Sequence, residues 1–387
     1  MQTVGSILDR RSGLAPGFDL MRVVLAVSVV IWHSRAIVNN DIARGGGFFE
    51  LGSYSIIAAF FGLSGFLITG SALRLRLRDF LLNRSLRIVP ALAVEVLLSA
   101  IVIGPIFTDL SLWNYATDLK TYRYFANVFG FIIYTLPGVF ARNPTDLVNG
   151  SLWTIPHEIA CYVLMSACML TGLLRRPALV LGAALAVILL GFVLSLGLPD
   201  DPVSLAARLG DKLFVDKASR LYVAFLLGIA AYLYRYRLPY DLRLMGLAAG
   251  ILLAAGAFDL AAVTVVPFYP FMNLMILPAL IYLTVCLGVT NLWVPKLLRA
   301  GDYSYGIYLY GWPIQQALVN LVPVRDANLQ VILALPCIVL FAIFSWHLIE
   351  RPILNLRRRF SFIASHRLQN ELPPSADAAA AGLRQMR

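Results

Sequence analysis

Apolar stretches of about 20 residues recur along the chain between short polar connections, and each is long enough to cross a bilayer as a helix. Ten fit the pattern, at residues 18–38, 52–73, 85–105, 152–173, 178–197, 219–234, 243–260, 271–289, 303–321 and 330–349. This predicts an all-α fold, a polytopic membrane helix bundle of about 10 transmembrane helices. An eleventh apolar piece, Phe125–Phe140, is short and carries Pro137 and Gly138. It reads as an interfacial or re-entrant segment, which is tolerated where it is buried in protein or lines a cavity. The first stretch lacks a short apolar region followed by a small-residue cleavage site, so a retained signal-anchor is expected. The sequence shows no internal repeat and reads without a soluble catalytic domain, so any chemistry is expected inside the bundle.

Composition agrees: 59% of residues are hydrophobic and 14% charged, with a mean hydropathy of +0.77, against roughly half and a quarter in a soluble domain. The formal net charge of +11 does not point to nucleic acid, because the basic residues cluster at the ends of apolar stretches, as topology signals do. With the N-terminus in the cytoplasm, 22 of the 32 Lys and Arg fall on the cytoplasmic side. They include Arg10, Arg11, Arg22, Arg74, Arg84, Arg87, Arg175, Arg176, Arg235, Lys296, Arg299 and the arginines from Arg351 onward, whereas the loop around Pro267 has none. Counting Phe125–Phe140 as a full span would move Arg175 and Arg176 outside and spoil the pattern. The expectation is therefore ten spans with both termini cytoplasmic. Residues 1–16 form a cytoplasmic segment and 17–352 the membrane domain. Residues 353–387, basic and then Ala/Pro-rich, form a tail expected to be disordered or to lie on the anionic leaflet. The four cysteines lie inside apolar runs at spacings that match no metal site, and read as packing residues.

Against this apolar background the polar groups inside spans are the functional candidates. Arg22 and His33 share the first span, about 16 Å apart along a helix axis. They place a fixed cation near one end and a titratable imidazole toward the other. Snorkelling and interfacial packing are the alternatives. His157 and Glu158 open the fourth span, behind Ser151, Trp153 and Pro156, at the depth of His33. An imidazole and a carboxylate at one depth could be a base and its orienting partner, or a polar cluster locking two helices. Arg84 and Arg87, one helical turn apart, could join Arg22 as a cationic collar for a phosphate-bearing ligand, or serve only as topology arginines. Gly62, Ser64 and Gly65 suit close helix packing or room for a thin ligand chain. Tyr305 and Tyr308 share a helix face, and Trp312-Pro313 lies deep enough to line a cavity. Glu350 and Arg351 read most simply as a local ion pair. Glu95 is an intramembrane carboxylate for which a partner is expected.

Taken in order, these residues resemble the integral-membrane O-acyltransferases of acyltransferase family 3. Arg22 and His33 are similar to the family's arginine–ten residues–histidine signature, and Phe60-Phe61-Gly62-Leu63-Ser64-Gly65-Phe66 to its Phe-Phe-x-x-Ser-Gly-Phe element. Arg84 to Pro90 resembles Arg-x-x-Arg-Ile-x-Pro, and Ser151-Leu152-Trp153 with Glu158 resembles Ser-Leu-Trp-x-x-x-x-Glu. The stretch Ser304 to Leu309 with Trp312-Pro313 resembles Ser-Tyr-x-x-Tyr-Leu-x-His-Trp-Pro, and Glu350-Arg351-Pro352 the closing Glu-Arg-Pro. The histidine before that Trp-Pro is Gly311 here, and His157 stands where the family more often has a non-ionisable residue.

The resemblance implies transfer of an acyl group, commonly acetyl, from cytoplasmic acyl-CoA to a hydroxyl of a glycan, exopolysaccharide or lipid-linked precursor. It implies CoA-phosphate binding by Arg22, Arg84 and Arg87, with Ser64, Gly65, Tyr305 and Tyr308 beside the donor. His33 would be the general base or a covalent relay, Glu158 would orient it, and His157 would be auxiliary. Ser151, Trp153 and Trp312 would line the acceptor side. No metal is expected. The expected setting is a bacterial cytoplasmic membrane, with the lipid bilayer, the glycan acceptor and polysaccharide assembly proteins as partners. A glycan transporter or flippase without acyl chemistry, or a non-catalytic scaffold, are the competing classes.

Overall fold

The protein is described from a computed structural model covering residues 2–10, 16–39, 48–197, 210, 218–257, 268–295, 298, 301–322 and 324–360. Arg11, Lys296, Arg299, the loop around Pro267 and the tail beyond Phe360 lie outside the described residues. Among those described the fold is all-helical, with only isolated bridges between extended residues. The α-helices of seven or more residues are α1 (Val4–Arg10), α2 (Pro16–Asn39), α3 (Phe48–Ala72), α4 (Leu77–Leu98), α5 (Ile155–Leu170), α6 (Pro177–Gly197), α7 (Ser219–Leu233), α8 (Leu242–Ala257), α9 (Phe268–Val289), α10 (Ser304–Leu321), α11 (Ala327–Ser345) and α12 (Arg351–Phe360).

Each expected apolar stretch coincides with one of α2–α11. Among the described residues five helical stretches are long and apolar enough to cross a membrane: Gly17–Asn39, Leu51–Ala72, Leu77–Phe107, Pro177–Leu194 and Ala327–Asn355. Three further apolar helical stretches are shorter: Ser219–Leu233, Leu242–Ala257 and Ile276–Val289. The other two fall short for local reasons. The fourth expected span begins with a tight 3₁₀ turn, Gly150–Thr154, which leaves α5 only 16 residues. α10 carries buried Gln315 and Gln316, whose amides are spent inside the bundle; Gln315 donates to the carbonyl of Val30 (3.0 Å) and to Gln330 (2.9 Å). Leu185, Leu189, Val193, Leu247, Leu253, Ile332, Leu340 and Phe344 are exposed on the bundle's outer helices. So much bare apolar surface requires an apolar solvent, and the protein is a membrane helix bundle.

Phe125–Phe140 is irregular rather than helical. A 3₁₀ turn (Tyr124–Phe129) ends at left-handed Gly130 (φ 83°), and an extended stretch follows. Asn127 substitutes for the missing helical bonds: its side chain accepts from the amide of Ile133 and donates to the carbonyls of Ile133 and Tyr124, all at 2.8–2.9 Å. At the N-terminus α1 docks on the α7–α8 connection, with the Val4 amide donating to Leu238 and the Gly5 amide to Arg235. At the other end a π turn, Trp346–Glu350, leads into α12, so a helix begins the tail.

α3 packs closely along α7, and the glycines of Phe60–Phe66 are the reason. A Cβ on Gly62 would meet Ile281, one on Gly65 would meet the carbonyl of Phe225, and one on Gly228 would meet the carbonyl of Gly62. Gly62 and Gly65 therefore serve the helix packing and line neither of the two cavities described below, whereas Ser64 lines one of them. Gly65→Ala is expected to cost about 1–3 kcal/mol by overpacking. A lowered midpoint of thermal unfolding in detergent, with Ser64→Ala near wild type, checks it.

Candidate active site

α2 carries Arg22 and His33 to two separate cavities. The first, of about 190 Å³, is lined by Arg22 on α2, Phe60 and Ser64 on α3, Arg84 and Arg87 on α4, Thr154, Glu158, Cys161 and Tyr162 at and on α5, and Ser304, Tyr305 and Tyr308 on α10. All three expected arginines meet here, together with Ser64, Tyr305 and Tyr308. Two of them are already paired. Arg22 binds Asp19 (2.5 Å) and Asp302 (2.6 Å), while Arg87 binds Asp302 (2.7 Å) and Glu350 (2.9 Å). Asp302, at the mouth of α10, bridges both guanidinium groups. Burial pushes its carboxyl up, but Arg87 and Arg22, with the hydroxyl and amide of Ser304, outweigh this and hold it at about 2.

The expected Glu350–Arg351 pair is not formed. The π turn rotates Glu350 inward to Arg87 and Ser345, while Arg351 stays exposed. Arg84 makes no ion pair among the described residues; its Nε is buried without a partner and its guanidinium lies 6.0 Å from the Phe80 ring. Glu158 accepts from the Tyr162 hydroxyl at 2.6 Å. The chamber thus combines one uncommitted cation, two carboxylate-paired ones and a largely aromatic and aliphatic wall. It fits an anionic head with a thin apolar arm.

The second cavity, of about 310 Å³, is lined by His33, Trp32, Val29 and Ala36 on α2, Gly52, Ser53, Ile56 and Ile57 on α3, Tyr134 and Leu147 of the irregular segment, Gly150 and Trp153 of the 3₁₀ turn, Arg220 and Trp312. His33 is buried, with its ring edge-on to Trp312 at 4.8 Å between centroids. Among the described residues neither ring nitrogen has a hydrogen-bond partner, so both are available to a ligand. Trp312 is held by its indole N–H donating to the Leu147 carbonyl (2.9 Å).

The structure brings His33, Trp153 and Trp312 together, and separately Arg22, Arg84, Arg87, Glu158, Ser64, Tyr305 and Tyr308. It does not bring Glu158 to His33: the two line different cavities, so the depth expected from residue spacing did not make a pair. His157 borders neither cavity. Its Nδ1 is 2.8 Å from the Tyr222 hydroxyl, and its ring stands edge-on to Trp153. Ser151 is fully buried in the 3₁₀ turn, its amide bonded to Asn149 Oδ1 and its carbonyl accepting from Tyr308.

Sequence reasoning passed over Asp302, though an acid at a span mouth facing a basic collar was a usable signal. It also missed Asn149, which supplies Glu95 with its partner. The Asn149 amide donates to Glu95 (2.9 Å) and to the carbonyl of Leu309 (3.0 Å), and Ser99 donates to the same carboxyl oxygen.

Two chambers thus lie along one helix, one lined by three arginines and one bearing an imidazole without a hydrogen-bond partner among the described residues. The profile of the acyltransferase 3 family, described as an acyltransferase domain, matches residues 16–350, and the chain belongs to that family. An "O-acetyl transferase" of Shigella phage Sf6 is 27% identical over 353 residues, spanning 87% of this chain and 96% of the relative. "Nodulation protein 10" of Rhizobium leguminosarum bv. viciae is 29% identical over 377 residues, spanning 92% and 97%. No solved structure matches.

Proposed function

We propose that this protein is an integral-membrane O-acyltransferase that moves an acetyl group from cytoplasmic acetyl-CoA to a hydroxyl of a glycan, exopolysaccharide or lipid-linked precursor. The observation that carries the reading is the division of Arg22 and His33 between two chambers: the arginine chamber takes the donor and the histidine chamber the acceptor. The relative from phage Sf6, named for O-acetyl transfer, supports acetyl as the group.

Arg84 holds a CoA phosphate directly, and Arg22 and Arg87 shape its surroundings. In the histidine chamber Trp153, Trp312 and Tyr134 offer flat faces suited to a sugar ring. His33 takes the proton of the acceptor hydroxyl as that oxygen attacks the thioester carbonyl. The carbon–sulfur bond then breaks, and the imidazolium returns its proton to the CoA sulfur. In this reading α2–α11 all cross a bacterial inner membrane, with both termini and the arginine chamber on the cytoplasmic side. Polysaccharide assembly proteins are the expected neighbours.

The test is purified protein in nanodiscs with radiolabelled acetyl-CoA. Wild type is expected to bind acetyl-CoA and, with a glycan acceptor present, to release CoA, and Arg84→Ala to bind acetyl-CoA about 10-fold or more weakly, as for loss of one charge-assisted contact. A wild-type protein that neither binds nor turns over acyl-CoA would sink the reading in favour of glycan transport.

A further inference from the structure

Donor and acceptor chambers must communicate for transfer to occur. Among the described residues Ile57 alone borders both. It is a buried side chain on α3, with Ile56 of the histidine chamber on one side in sequence and Phe60 of the arginine chamber one turn on. Opposite α3 the division is the 3₁₀ turn Gly150–Thr154, whose Gly150 and Trp153 face the histidine chamber while Thr154 faces the arginine chamber.

The two sides of this division differ in how they are held. The turn is tied down at every step. Thr154 Oγ1 is 2.7 Å from the Tyr308 hydroxyl, which in turn donates to the Ser151 carbonyl at 2.8 Å. Asn149 Oδ1 accepts from the Ser151 amide, and its amide is fixed by Glu95 and the Leu309 carbonyl. Gly150 lies against the Trp312 ring so closely that a Cβ there would stand 2.7 Å from it. This also accounts for Glu95: its carboxylate anchors the fixed wall. The facing side is a single aliphatic side chain that makes no polar bond. A rotation about the Ile57 side-chain bonds therefore changes the width of the division at far lower cost than any movement of the turn.

We propose that Ile57 is the gating and specificity-determining residue between the chambers: it yields to an unbranched acyl-thioester arm, resists a branched one, and keeps water from the thioester in the absence of acceptor. This rests on the acyl-CoA reading above. When the gate is wide, water can replace the acceptor hydroxyl as nucleophile; the carbon–sulfur bond breaks, giving acetate and free CoA thiol, with the water supplying both the acid oxygen and the thiol proton.

The test uses the full chain in nanodiscs, with acetyl-CoA and isobutyryl-CoA as donors, comparing wild type, Ile57→Ala and Ile57→Phe. Ile57→Ala is expected to raise the isobutyryl-to-acetyl ratio of kcat/KM by about 10-fold or more, the scale on which apolar pockets discriminate one or two carbons. It should also release CoA from acetyl-CoA without acceptor faster than wild type. Ile57→Phe is expected to keep acetyl-CoA binding while acetyl transfer falls by a similar factor. A ratio unchanged in Ile57→Ala, with no added hydrolysis, overturns the gate even if Ile57→Phe inserts poorly. So does a loss in Ile57→Phe that is carried wholly by acetyl-CoA affinity. If wild type fails to use any acyl-CoA, the functional reading itself falls; if wild type works and both variants match it, only the gate does.

Discussion

His33→Ala is expected to lower acetyl transfer by about 10²–10⁴-fold, the range in which a positioned general base contributes. Acetyl-CoA binding should be unchanged, because the arginines lie in the other chamber. The geometry makes this separation sharp. His33 is buried, is braced by the Trp312 ring edge, and has no protein partner among the described residues at either nitrogen, so its removal breaks no internal hydrogen bond. The stability of the variant should then fall only by the lost packing, and a thermal unfolding midpoint near wild type accompanies the lost activity. Radiolabel transfer alongside a direct acetyl-CoA binding isotherm distinguishes the cases. Equal losses in both would place His33 in donor binding instead. Glu158→Gln offers the contrast: since Glu158 faces Arg84, Arg87 and Tyr162 rather than the imidazole, its effect should appear in donor binding.

Asp302→Ala carries the second large effect, and on stability. Among the described residues Asp302 is the one carboxylate that accepts from both Arg22 and Arg87, and the chain Asp19–Arg22–Asp302–Arg87–Glu350 ties α2 to α4, the mouth of α10 and the π turn after α11. Removing its centre leaves two partly buried guanidinium groups short of a counter-charge. For a fully buried pair that costs about 3–5 kcal/mol; with these side chains partly open to solvent, about 2–4 kcal/mol is expected. The pH dependence has a definite sign. The Asp302 carboxyl is held at about 2, below its ordinary 3.8, so its contribution is complete above 3.8 and is lost as pH falls toward 2. Wild type should show that acid loss in thermal melts and Asp302→Ala should lack it. A variant that melts like wild type at neutral pH would show that the network contributes nothing to stability.

The two effects part along α2. The arginine end of that helix is an ion network with Arg84 unpaired beside it among the described residues, and the histidine end is a largely aromatic chamber around an imidazole that has no hydrogen-bond partner among them. Arg84, which had looked from spacing like one of three equivalent phosphate ligands, is set apart by lacking the carboxylates that Arg22 and Arg87 hold. Charge counting along the chain cannot see this, because Asp302 and Glu350 come from segments some 215 and 263 residues beyond Arg87.

Much of the protein follows from the chain alone. Apolar runs of bilayer length dictate a membrane helix bundle, since backbone groups without water must bond within helices. The polar residues that interrupt those runs stand out as candidates from the chain alone, because their cost in such a place demands a use. Tertiary structure decided which of them meet. Residue spacing puts Glu158 and His33 at similar depth, yet in the fold Glu158 shares the chamber of Arg22, and the turn Gly150–Thr154 and Ile57 stand between it and the chamber of His33. Gly62 and Gly65 look like room for a ligand, yet α7 and Ile281 of α9 fill it. Depth along a helix is set by residue number at 1.5 Å per step, and is legible in sequence. The direction a side chain faces across the bundle depends on which neighbour packs against it, and only the fold supplies that neighbour.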